Sequence, residues 1–422
     1  MAATLSDSDR RMLDGRDGRA ARLAMSVVSR MAEVLGAAEL MDVSQAHIDG
    51  CGLLSEAGLE FAETLAAEGA RVCIPTTLNM GPLDLKNWRS FGVPEDFADK
   101  AVRQAKAYEQ MGCIPTWTCA PYQGYLTPRF GQQIAWGESN AVCYANSVLG
   151  ARTNRYGDYI DICAAITGRV PRCGLHLAEN RRGEILLRLV DIDPDLWRDE
   201  SSYAALGHLI GPKVGDKIPV IEGLPPAAGG DQLKALGAAA ASSGAVAMFH
   251  ALGITPEANT AKQAFAGRRP RQIIDIRPAD MSAARADLST AGEGDKLDEV
   301  VLGCPHFSFD EFRRLAELLQ AQAAETFHRQ VTFTVITSRA SLALVRQSNF
   351  FDVIEAFGVR ITLDTCLFHT PLVCPETKVI MTNSGKCAYY APGELNVQVA
   401  FGTMADCVRS AIRGRVCQEA TA

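Results

Sequence analysis

The residues of this chain best suited to chemistry are its cysteines and one dense polar stretch. Residues 111–156 contain three cysteines, three prolines and five glycines, together with a Glu-Ser-Asn triplet and an ending rich in Asn and Arg. Regular core elements have little use for such residues, whereas loops around a site are built from them. The stretch is therefore predicted to line a functional site.

The chain has thirteen cysteines, an odd number, and no two of them form a CxxC pair. A disulfide framework and a zinc finger are therefore both poor interpretations. Most of the cysteines are expected to be buried apolar thiols, with a few metal or cluster ligands among them. They lie at positions 51, 73, 113, 119, 143, 163, 173, 304, 366, 374, 387, 407 and 417.

Two cysteines directly follow predicted strands. Cys304 comes after the strand 297–303, and Cys366 comes after the strand 360–365. Because ligands bind at the carboxyl ends of parallel strands, both thiols are expected at a ligand-binding edge. Cys119, in the polar stretch, could be a third. Three thiolates from distant segments suit an iron-sulfur cluster with one incompletely ligated iron, which would act as a Lewis acid.

The residues alone leave other assignments open. Any three of the thirteen cysteines could be chosen, and inert buried thiols are the main alternative. Cys374 and Cys387 lie close enough to Cys366 in the sequence to be rival ligands. The patterns GxxxxGK[ST], GxSxG and HExxH are missing, and no GxGxxG follows a strand. The chain therefore lacks the usual signatures of nucleotide binding, serine hydrolysis and zinc proteolysis.

Polar side chains near these cysteines are predicted to orient a substrate. Arg152 suits a carboxylate or a phosphate, because its planar guanidinium offers a fork of donors. Helix capping and surface polarity are the alternatives for the other residues. The predicted substrate-binding residues are Thr77, Asn79, Tyr122, Glu138, Ser139, Asn146, Ser147, Arg152 and Lys386.

Apolar periodicity predicts the elements that position these residues. In the first half, helices are expected within 5–36 and over 59–67, 94–111 and 132–149, and strands over 40–43, 70–74 and 183–192. A buried core helix is expected over 231–252. After it, strands are expected over 297–303, 330–337, 360–365, 378–382 and 396–401, with helices over 308–323, 338–348 and 403–414.

The alternation of strand and helix in the second half predicts an α/β fold with parallel sheets and crossover helices. At 422 residues the chain is too long for one simple core, so two to three subdomains are expected. A Gly- and Pro-containing segment at 211–228 favours a division into 1–225 and 226–422.

Charge and hydropathy exclude several partners. The net charge of -7 argues against nucleic acid, which needs a clustered cationic face. The short basic pairs at 10–11, 181–182 and 268–269 are interpreted as solvated surface charge. No run of eighteen apolar residues and no signal peptide is found, so no membrane contact and a cytoplasmic location are expected.

Seven segments resemble the large, catalytic part of the aconitase X family, and the resemblance runs over roughly residues 5–412. The block at 128–157 makes it specific. The segments are TTLN at 76–79, CAPY at 119–122, PRFGQQIAWGESNAVCYANSVLGARTNRYG at 128–157, GLH at 174–176, GCPHFS at 303–308, DTC at 364–366 and TNSGKCAYYAPG at 382–393.

This resemblance implies an aconitase-like catalytic module and a dehydratase that holds an iron-sulfur cluster. By the family pattern, the expected cluster ligands are Cys119, Cys304 and Cys366, and His306 or His176 could donate a proton. The first substrate expected is cis-3-hydroxy-L-proline, dehydrated to a pyrroline-2-carboxylate. Mevalonate 5-phosphate is the alternative, and a non-catalytic iron-sulfur sensor is the least favoured.

The resemblance also implies a partner. Aconitase-like enzymes need a small swivelling domain, expected to supply a serine as base or proton carrier. No segment before residue 5 or after residue 412 is long enough to be that domain. A separate small subunit is therefore expected to complete the site, in a heterodimer.

Overall fold

The computed structural model describes residues 3–81 and 83–418, which divide into two compact units. The first unit contains the described residues up to Arg182 together with the segment Asp364–Thr370. The second contains Gly183–Leu363 and the described residues from Pro371 onward. The division at residue 225 stays a prediction.

The first unit is built from short strands and amphipathic helices. Its helices are α1 Asp7–Leu13, α2 Arg19–Val34, α3 Glu56–Ala67, α4 Glu95–Gln110, α5 Ser139–Tyr144 and α6 Ile160–Thr167. Its strands are β1 Leu40–Asp42, β2 Ala46–Ile48, β3 Thr76–Leu78, β4 Ala135–Trp136 and β5 Arg169–Pro171.

A three-stranded parallel sheet of order β3-β2-β4 forms the centre of this unit. β1 and β5 pair separately in an antiparallel ribbon. Parallel neighbours need crossover connections, and α3 and α4 lie in the connections of this sheet. Helix α2 contributes fully buried Ala24, Met25 and Val28 to the core from one face, as its apolar spacing predicts.

The second unit carries the longer strands. They are β6 Ile185–Leu189, β7 Pro219–Glu222, β8 His250–Ala251, β9 Gln272–Ile276, β10 Glu299–Leu302, β11 Thr332–Thr337, β12 Arg360–Leu363, β13 Val379–Thr382 and β14 Gln398–Phe401. The helices are α7 Glu200–Val214, α8 Gly230–Ser243, α9 Ala261–Ala264, α10 Pro278–Asp287, α11 Phe309–Gln320, α12 Arg339–Val345, α13 Phe351–Ala356, α14 Gly385–Glu394 and α15 Met404–Arg413.

These strands form two parallel sheets, of order β12-β11-β10-β13-β14 and β8-β7-β6-β9. The predicted alternation of strand and helix is confirmed in the five-stranded sheet. Helices α7 and α8 pack closely at Gly207. A β-carbon at this position would lie 2.2 Å from the Leu236 carbonyl oxygen, so the close approach requires glycine. The predicted core helix is confirmed as α8, but it ends at Ser243 because Gly244 and β8 follow.

Three expectations for the first unit are wrong. Residues 70–74 do not form a strand, because the Cys73 N–H donates to the Ala165 carbonyl instead of to a sheet partner. The helix predicted over 132–149 begins only at Ser139, since Ala135–Trp136 joins the sheet as β4. Arg181, interpreted as surface charge, is only 2% exposed.

Candidate active site

The carboxyl ends of β2, β3 and β4 meet at one edge of the sheet in the first unit. Asp49 follows β2, Asn79 follows β3, and Glu138 follows β4. The Asn79 amide nitrogen donates to the Asp49 carboxylate in a short hydrogen bond. The carboxyl edge of a parallel sheet is where ligands bind, so this edge is the first part of the candidate site.

Thr77 and His47 lie side by side within this sheet, and both are buried. The Thr77 hydroxyl is 2.8 Å from His47 Nδ1, and the Trp136 ring centroid is 5.7 Å from the imidazole. Burial lowers the pKa of His47 to about 4, although the charge of Glu138 opposes the shift. The imidazole is therefore neutral at pH 7. The predicted role of Thr77 in substrate binding stays a prediction.

Asn140 connects the Cys119 loop to the start of α5. Its amide nitrogen donates to the Cys119 carbonyl at 2.7 Å and to Glu138 at 2.7 Å, and its oxygen accepts from the Tyr122 hydroxyl at 2.7 Å. Glu138 also caps α5 through the Ala141 N–H. Asn140 was not among the predicted site residues. The only sign of it was its place in the Glu-Ser-Asn triplet.

The other predicted residues of this helix are less central. Ser139 is half-buried at the first position of α5, with its hydroxyl 3.4 Å from Glu138. Ser147 is buried in the π-helical turn Ala145–Leu149 that follows, 4.0 Å from the Cys143 thiol. π-helical turns are rare and are often found at functional sites.

Asn146, in the same turn, holds the chain beside Arg152. Its amide nitrogen donates to the Thr153 carbonyl at 3.0 Å, and its oxygen accepts from the Thr153 N–H at 3.1 Å and from Arg181 at 3.0 Å. Arg181 reaches further, to the Leu175 carbonyl. Asn146 therefore stabilises the backbone of the site through these bonds and fixes the position of Arg152.

Arg152 is a half-buried cation. Its Nε is buried and, among the residues that the structure describes, has no hydrogen-bond partner. A buried N–H donor of a guanidinium that lacks a hydrogen bond is costly, and an incoming carboxylate would satisfy it. This geometry suits the substrate-binding role predicted for Arg152.

His176 packs beside Arg152 as a neutral imidazole. Its Nδ1 is 2.7 Å from the Gln133 side-chain oxygen, and its Nε2 is 2.6 Å from the Tyr156 hydroxyl. An amide oxygen only accepts, so Nδ1 donates and Nε2 accepts from Tyr156. Burial lowers the pKa of His176 to about 4, and the charges of Arg181 and Arg152 add to the shift.

We expect these two neutral histidines to make folding sensitive to acid. Each folded-state pKa, about 4, lies below the ordinary 6.5, so only the unfolded chain takes up the proton as pH falls through 6.5. The stabilisation is complete above pH 6.5 and is lost between 6.5 and 4, about 3 kcal/mol per histidine. Urea unfolding at pH 7.5 and 5.0 measures the loss.

Replacing His176 with asparagine is expected to remove about 2 kcal/mol of the difference between these two pH values. His47→Asn should act in the same direction, because burial is the main cause at both positions. If either variant kept the wild-type difference in unfolding free energy between pH 7.5 and 5.0, the replaced histidine would take up its proton in the folded protein as readily as in the unfolded chain.

The predicted ligand loop of Cys366 packs beside that of Cys119. The Gly81 N–H donates to the Asp364 carbonyl at 2.5 Å. A β-carbon on Gly81 would lie 2.9 Å from that carbonyl and 3.2 Å from the Trp117 ring. Cys119 lies two residues after Trp117, and Cys366 two residues after Asp364. The structure thus brings these two predicted ligand loops together at Gly81, and both thiols are half-buried.

Cys304, the third predicted ligand, lies in the second unit. It follows β10 at Gly303, whose φ of +94° and contact with the Ile336 carbonyl require glycine. The Cys304 carbonyl accepts a short hydrogen bond from the Ser384 hydroxyl, which in turn accepts from the Cys387 N–H at 3.0 Å.

The side chain of Cys387, in α14, changes the pKa of the Cys304 thiol. A hydrogen bond with the Cys387 thiol raises the pKa of Cys304 well above its ordinary value, and burial adds to the shift. The charge of half-buried Lys386, at the second position of α14, acts in the opposite direction. Cys387 is fully buried, whereas Cys304 is half-buried.

His306 is buried two residues after Cys304, above a buried ion pair. Its carbonyl accepts from the Lys234 ammonium at 3.4 Å, and Lys234 pairs closely with Glu311 and lies 3.3 Å from Asp231. Burial opposes the charge of Lys234, but the two carboxylates outweigh it and raise the pKa of Lys234. The ammonium is therefore a fixed cation that supports the Cys304 turn. A small cavity of about 20 Å³, room for a water molecule, adjoins the pair.

Comparisons with known proteins decide the family. Models of the aconitase X first, second and third domains match residues 2–179, 186–286 and 297–413. The cis-3-hydroxy-L-proline dehydratase of Pseudomonas aeruginosa is 44% identical to the chain, over 96% of this chain and 70% of that protein. The chain belongs to the aconitase X family.

Two further relatives agree with this assignment. The phosphomevalonate dehydratase large subunit of Methanothermobacter thermautotrophicus is 38% identical, over 96% of this chain and 98% of that protein. The holo-form of aconitase X from Thermococcus kodakaraensis has the same fold, with a TM-score of 0.87 and 30% identity, over 97% of this chain and 100% of that one. The predicted aconitase-like α/β fold is confirmed.

An aconitase X protein is expected to hold an iron-sulfur cluster, so the donors need to fit one. Among the described residues, no three His, Cys, Asp or Glu side chains form a preassembled metal site. The donor chemistry fits nevertheless, since clusters are held by thiolates and the loops of Cys119 and Cys366 meet at Gly81. Cys51 and Cys407 differ from half-buried Cys119 and Cys366 in being fully buried, and burial raises the pKa of both thiols.

The contact at Gly81 gives a prediction for this aconitase X chain. In the variant Gly81→Ala, the new methyl group would push Asp364 or Trp117 aside, and overpacking of this kind costs about 1–3 kcal/mol. Because the two ligand loops then separate, we expect the purified protein to retain less iron. The matched control is Gly157→Ala, where nothing lies within 4 Å of the new atom. Equal iron contents in the two variants would contradict the prediction.

No helix of the described residues is both long enough and apolar enough to cross a bilayer.

Proposed function

We propose that this aconitase X chain is the large subunit of an iron-sulfur-dependent hydro-lyase that dehydrates cis-3-hydroxy-L-proline to a pyrroline-2-carboxylate. The proteins of that name from Pseudomonas aeruginosa and Hypocrea jecorina are 44% and 41% identical to it. The single observation in the structure that carries the proposal is Arg152, a half-buried arginine whose Nε is buried without a hydrogen-bond partner among the described residues.

Arg152 would bind the carboxylate of the substrate. Asn146 fixes the backbone on the C-terminal side of Arg152 through Thr153, and neutral His176 lies beside it without competing for the anion. A guanidinium held this way presents two parallel donors to a carboxylate and fixes its orientation. The carbon that loses its proton lies next to that carboxylate, so fixing the carboxylate also fixes the reacting carbon.

The proposed cluster ligands are Cys119, Cys304 and Cys366. A bound cluster with an incompletely ligated iron supplies a Lewis acid, which makes a hydroxyl group a better leaving group. The chain itself orients the ligand loop, because Asn140 holds the Cys119 carbonyl between Glu138 and Tyr122.

The proposed proton donors are the two histidines. His306, supported by the Lys234 pair through its carbonyl, is the first candidate. His176 can donate its Nδ1 proton only if its hydrogen bond to Gln133 opens, and in the closed arrangement it positions Tyr156 and Gln133. The remaining proposed substrate contacts are Thr77, Asn79, Ser139, Ser147 and Lys386.

Mevalonate 5-phosphate is the second candidate substrate. Similarity to the phosphomevalonate dehydratase large subunits favours it. The match to one of them covers 98% of that protein. A phosphate, however, needs several converging cations. Arg181 is already bound to Asn146 and Leu175, and Arg129 and Arg155 are exposed. A single half-buried arginine therefore fits the carboxylate of hydroxyproline better than it fits a phosphate. A non-catalytic sensor that binds nucleic acid is least favoured, because the chain has a net charge of -7.

A small subunit carrying the swivelling domain is the proposed partner, in a heterodimer. Relatives named as large subunits support it, since the chain covers nearly their whole length. The two hydroxyproline dehydratases are longer, and the chain spans 70% and 69% of them. A cytoplasmic location is also part of the proposal, because all thirteen cysteines are free thiols.

The proposal is tested with the full chain, loaded with iron and sulfide and combined with its small subunit. Each substrate is supplied separately, and the products are identified by mass spectrometry. We expect loss of one water from cis-3-hydroxy-L-proline and none from mevalonate 5-phosphate. The reverse preference would move the chain to the second candidate function, and no turnover of either substrate would contradict a dehydratase.

A further inference from the structure

We propose that Cys304 and Cys387 are a redox pair, which closes to a reversible disulfide when Cys304 is not bound to metal. Two geometric observations place them together in the second unit. Cys304 lines a small cavity with Gly385, the first residue of α14, which lies two residues before Cys387. Their backbones are joined through one hydroxyl, that of Ser384, which donates to the Cys304 carbonyl and accepts from the Cys387 N–H.

The Ser384 contact determines how easily the pair can close. A disulfide needs two backbones held close together with their β-carbons facing each other. Here the turn after β10 and the first turn of α14 are already joined through the same hydroxyl, and both line one small cavity. Closing the bond therefore requires a small rearrangement of side chains and leaves both elements in place.

Exposure separates this pair from the other neighbouring thiols. Cys51 and Cys113 also lie near each other, but both are buried and offer no entry to an oxidant. Cys304 is half-buried, and it lines the small cavity beside Lys234, whereas Cys387 is fully buried. A soluble oxidant would therefore reach Cys304 first, and Cys387 would act as the resolving thiol.

The chemistry requires an oxidant, and a low-molecular-weight disulfide supplies it. Cys304 loses its proton and its sulfur attacks the disulfide, which forms a mixed disulfide and releases one small thiol. Cys387 then loses its proton and attacks the Cys304 sulfur, which releases the second small thiol. In sum, two protein thiols are oxidised to one disulfide, and the small disulfide is reduced to two thiols.

The consequence for the proposed function is that oxidation would remove Cys304 from the ligand set. A protein without its cluster would store Cys304 in a bond that a reductant can reopen, instead of leaving it to irreversible oxidation. Only this last step depends on the proposed function, since the disulfide itself needs only the two thiols and the oxidant.

The test uses the full chain, freed of iron with a chelator and treated with oxidised glutathione. Free thiols are then blocked with iodoacetamide, and tryptic peptides are identified by mass spectrometry. Cys304 lies in the peptide 297–313, and Cys387 lies in 387–409, which also contains Cys407. The variant Cys407→Ser removes that ambiguity. We expect the two peptides to be linked, two iodoacetamide-reactive thiols to be lost per chain, and dithiothreitol to restore them.

Two further samples make the result decisive. In Cys387→Ser we expect Cys304 to carry glutathione instead, whereas Cys374→Ser should form the wild-type link. Cys304 and Cys387 both found blocked by iodoacetamide after oxidation, or Cys304 linked to another cysteine, would overturn the proposal. Protein loaded with iron should resist oxidation. Equal yields of disulfide with and without iron would contradict the ligand role of Cys304 and leave the redox pair intact.

Discussion

Replacing Cys366 with serine will leave the protein without its iron-sulfur absorbance and without dehydratase activity. Cys366 lies in the segment 364–370, beside the loop of the second proposed ligand, Cys119. A serine hydroxyl is a poor ligand for iron compared with a thiolate. Loss of an outer-shell partner alone lowers metal affinity about 10–100-fold, so removal of a ligand should exceed that range. Iron content and the visible spectrum measure the effect directly.

The matched control for this change is Cys374→Ser. Cys374 lies eight residues further along the chain, but its thiol is exposed and donates to Glu376 at 2.7 Å. We expect this variant to keep its iron and its colour. A Cys366→Ser protein with full iron and an unchanged spectrum would remove Cys366 from the ligand set, and loss of iron in the control would make Cys374 a ligand.

Replacing Arg152 with glutamine should lower kcat/KM for the hydroxyproline substrate about a hundredfold. Hydrogen bonds to charged groups contribute about 1.5–3 kcal/mol, and 1.4 kcal/mol corresponds to a factor of ten. The upper end of that range applies, because Arg152 is half-buried and its Nε has no hydrogen-bond partner among the described residues. Its partner in the complex would be the substrate. Steady-state kinetics on the loaded complex give the value.

Arg155→Gln is the control for the loss of charge. Arg155 is only three residues away but is exposed, so a nonspecific effect of charge would appear in both variants. Arg152→Lys should recover only part of the activity, because an ammonium cannot form the bidentate pair. Equal kinetics for Arg152→Gln and the wild type would show that another group binds the carboxylate, and the iron content should stay unchanged in each variant.

The regular part of the fold was predictable from local patterns. The strands of the C-terminal sheet are short apolar runs followed by helices with clear caps, such as Ser308 before α11 and Thr403 before α15. Their carboxyl ends could therefore be placed, and with them Cys304. The periodicity within 5–36 likewise predicted α2.

The features missed by the sequence depend on long-range contacts. Residues 70–74 are rich in small and branched residues, as in a strand, but the N–H groups of Val72 and Cys73 donate to the carbonyls of Met111 and Ala165, outside any sheet. The burial of Arg181 depends on Asn146, 35 residues earlier in the chain. The place of Cys366 in the first unit depends on contacts made across more than 280 residues of sequence, such as the hydrogen bond between Gly81 and Asp364. No local pattern carries such information.

The position of the segment Asp364–Thr370 in the first unit has a consequence for biosynthesis. The chain before and after this segment belongs to the second unit, so the first unit is not contiguous in the order of translation. Cys119 and Cys366 are 247 residues apart. At roughly 5–20 residues per second, a ribosome needs roughly 12–50 s to add the second thiol after the first. The first unit is therefore complete only after most of the second has been made, and the proposed ligand pair Cys119 and Cys366 would be complete only on a nearly finished chain.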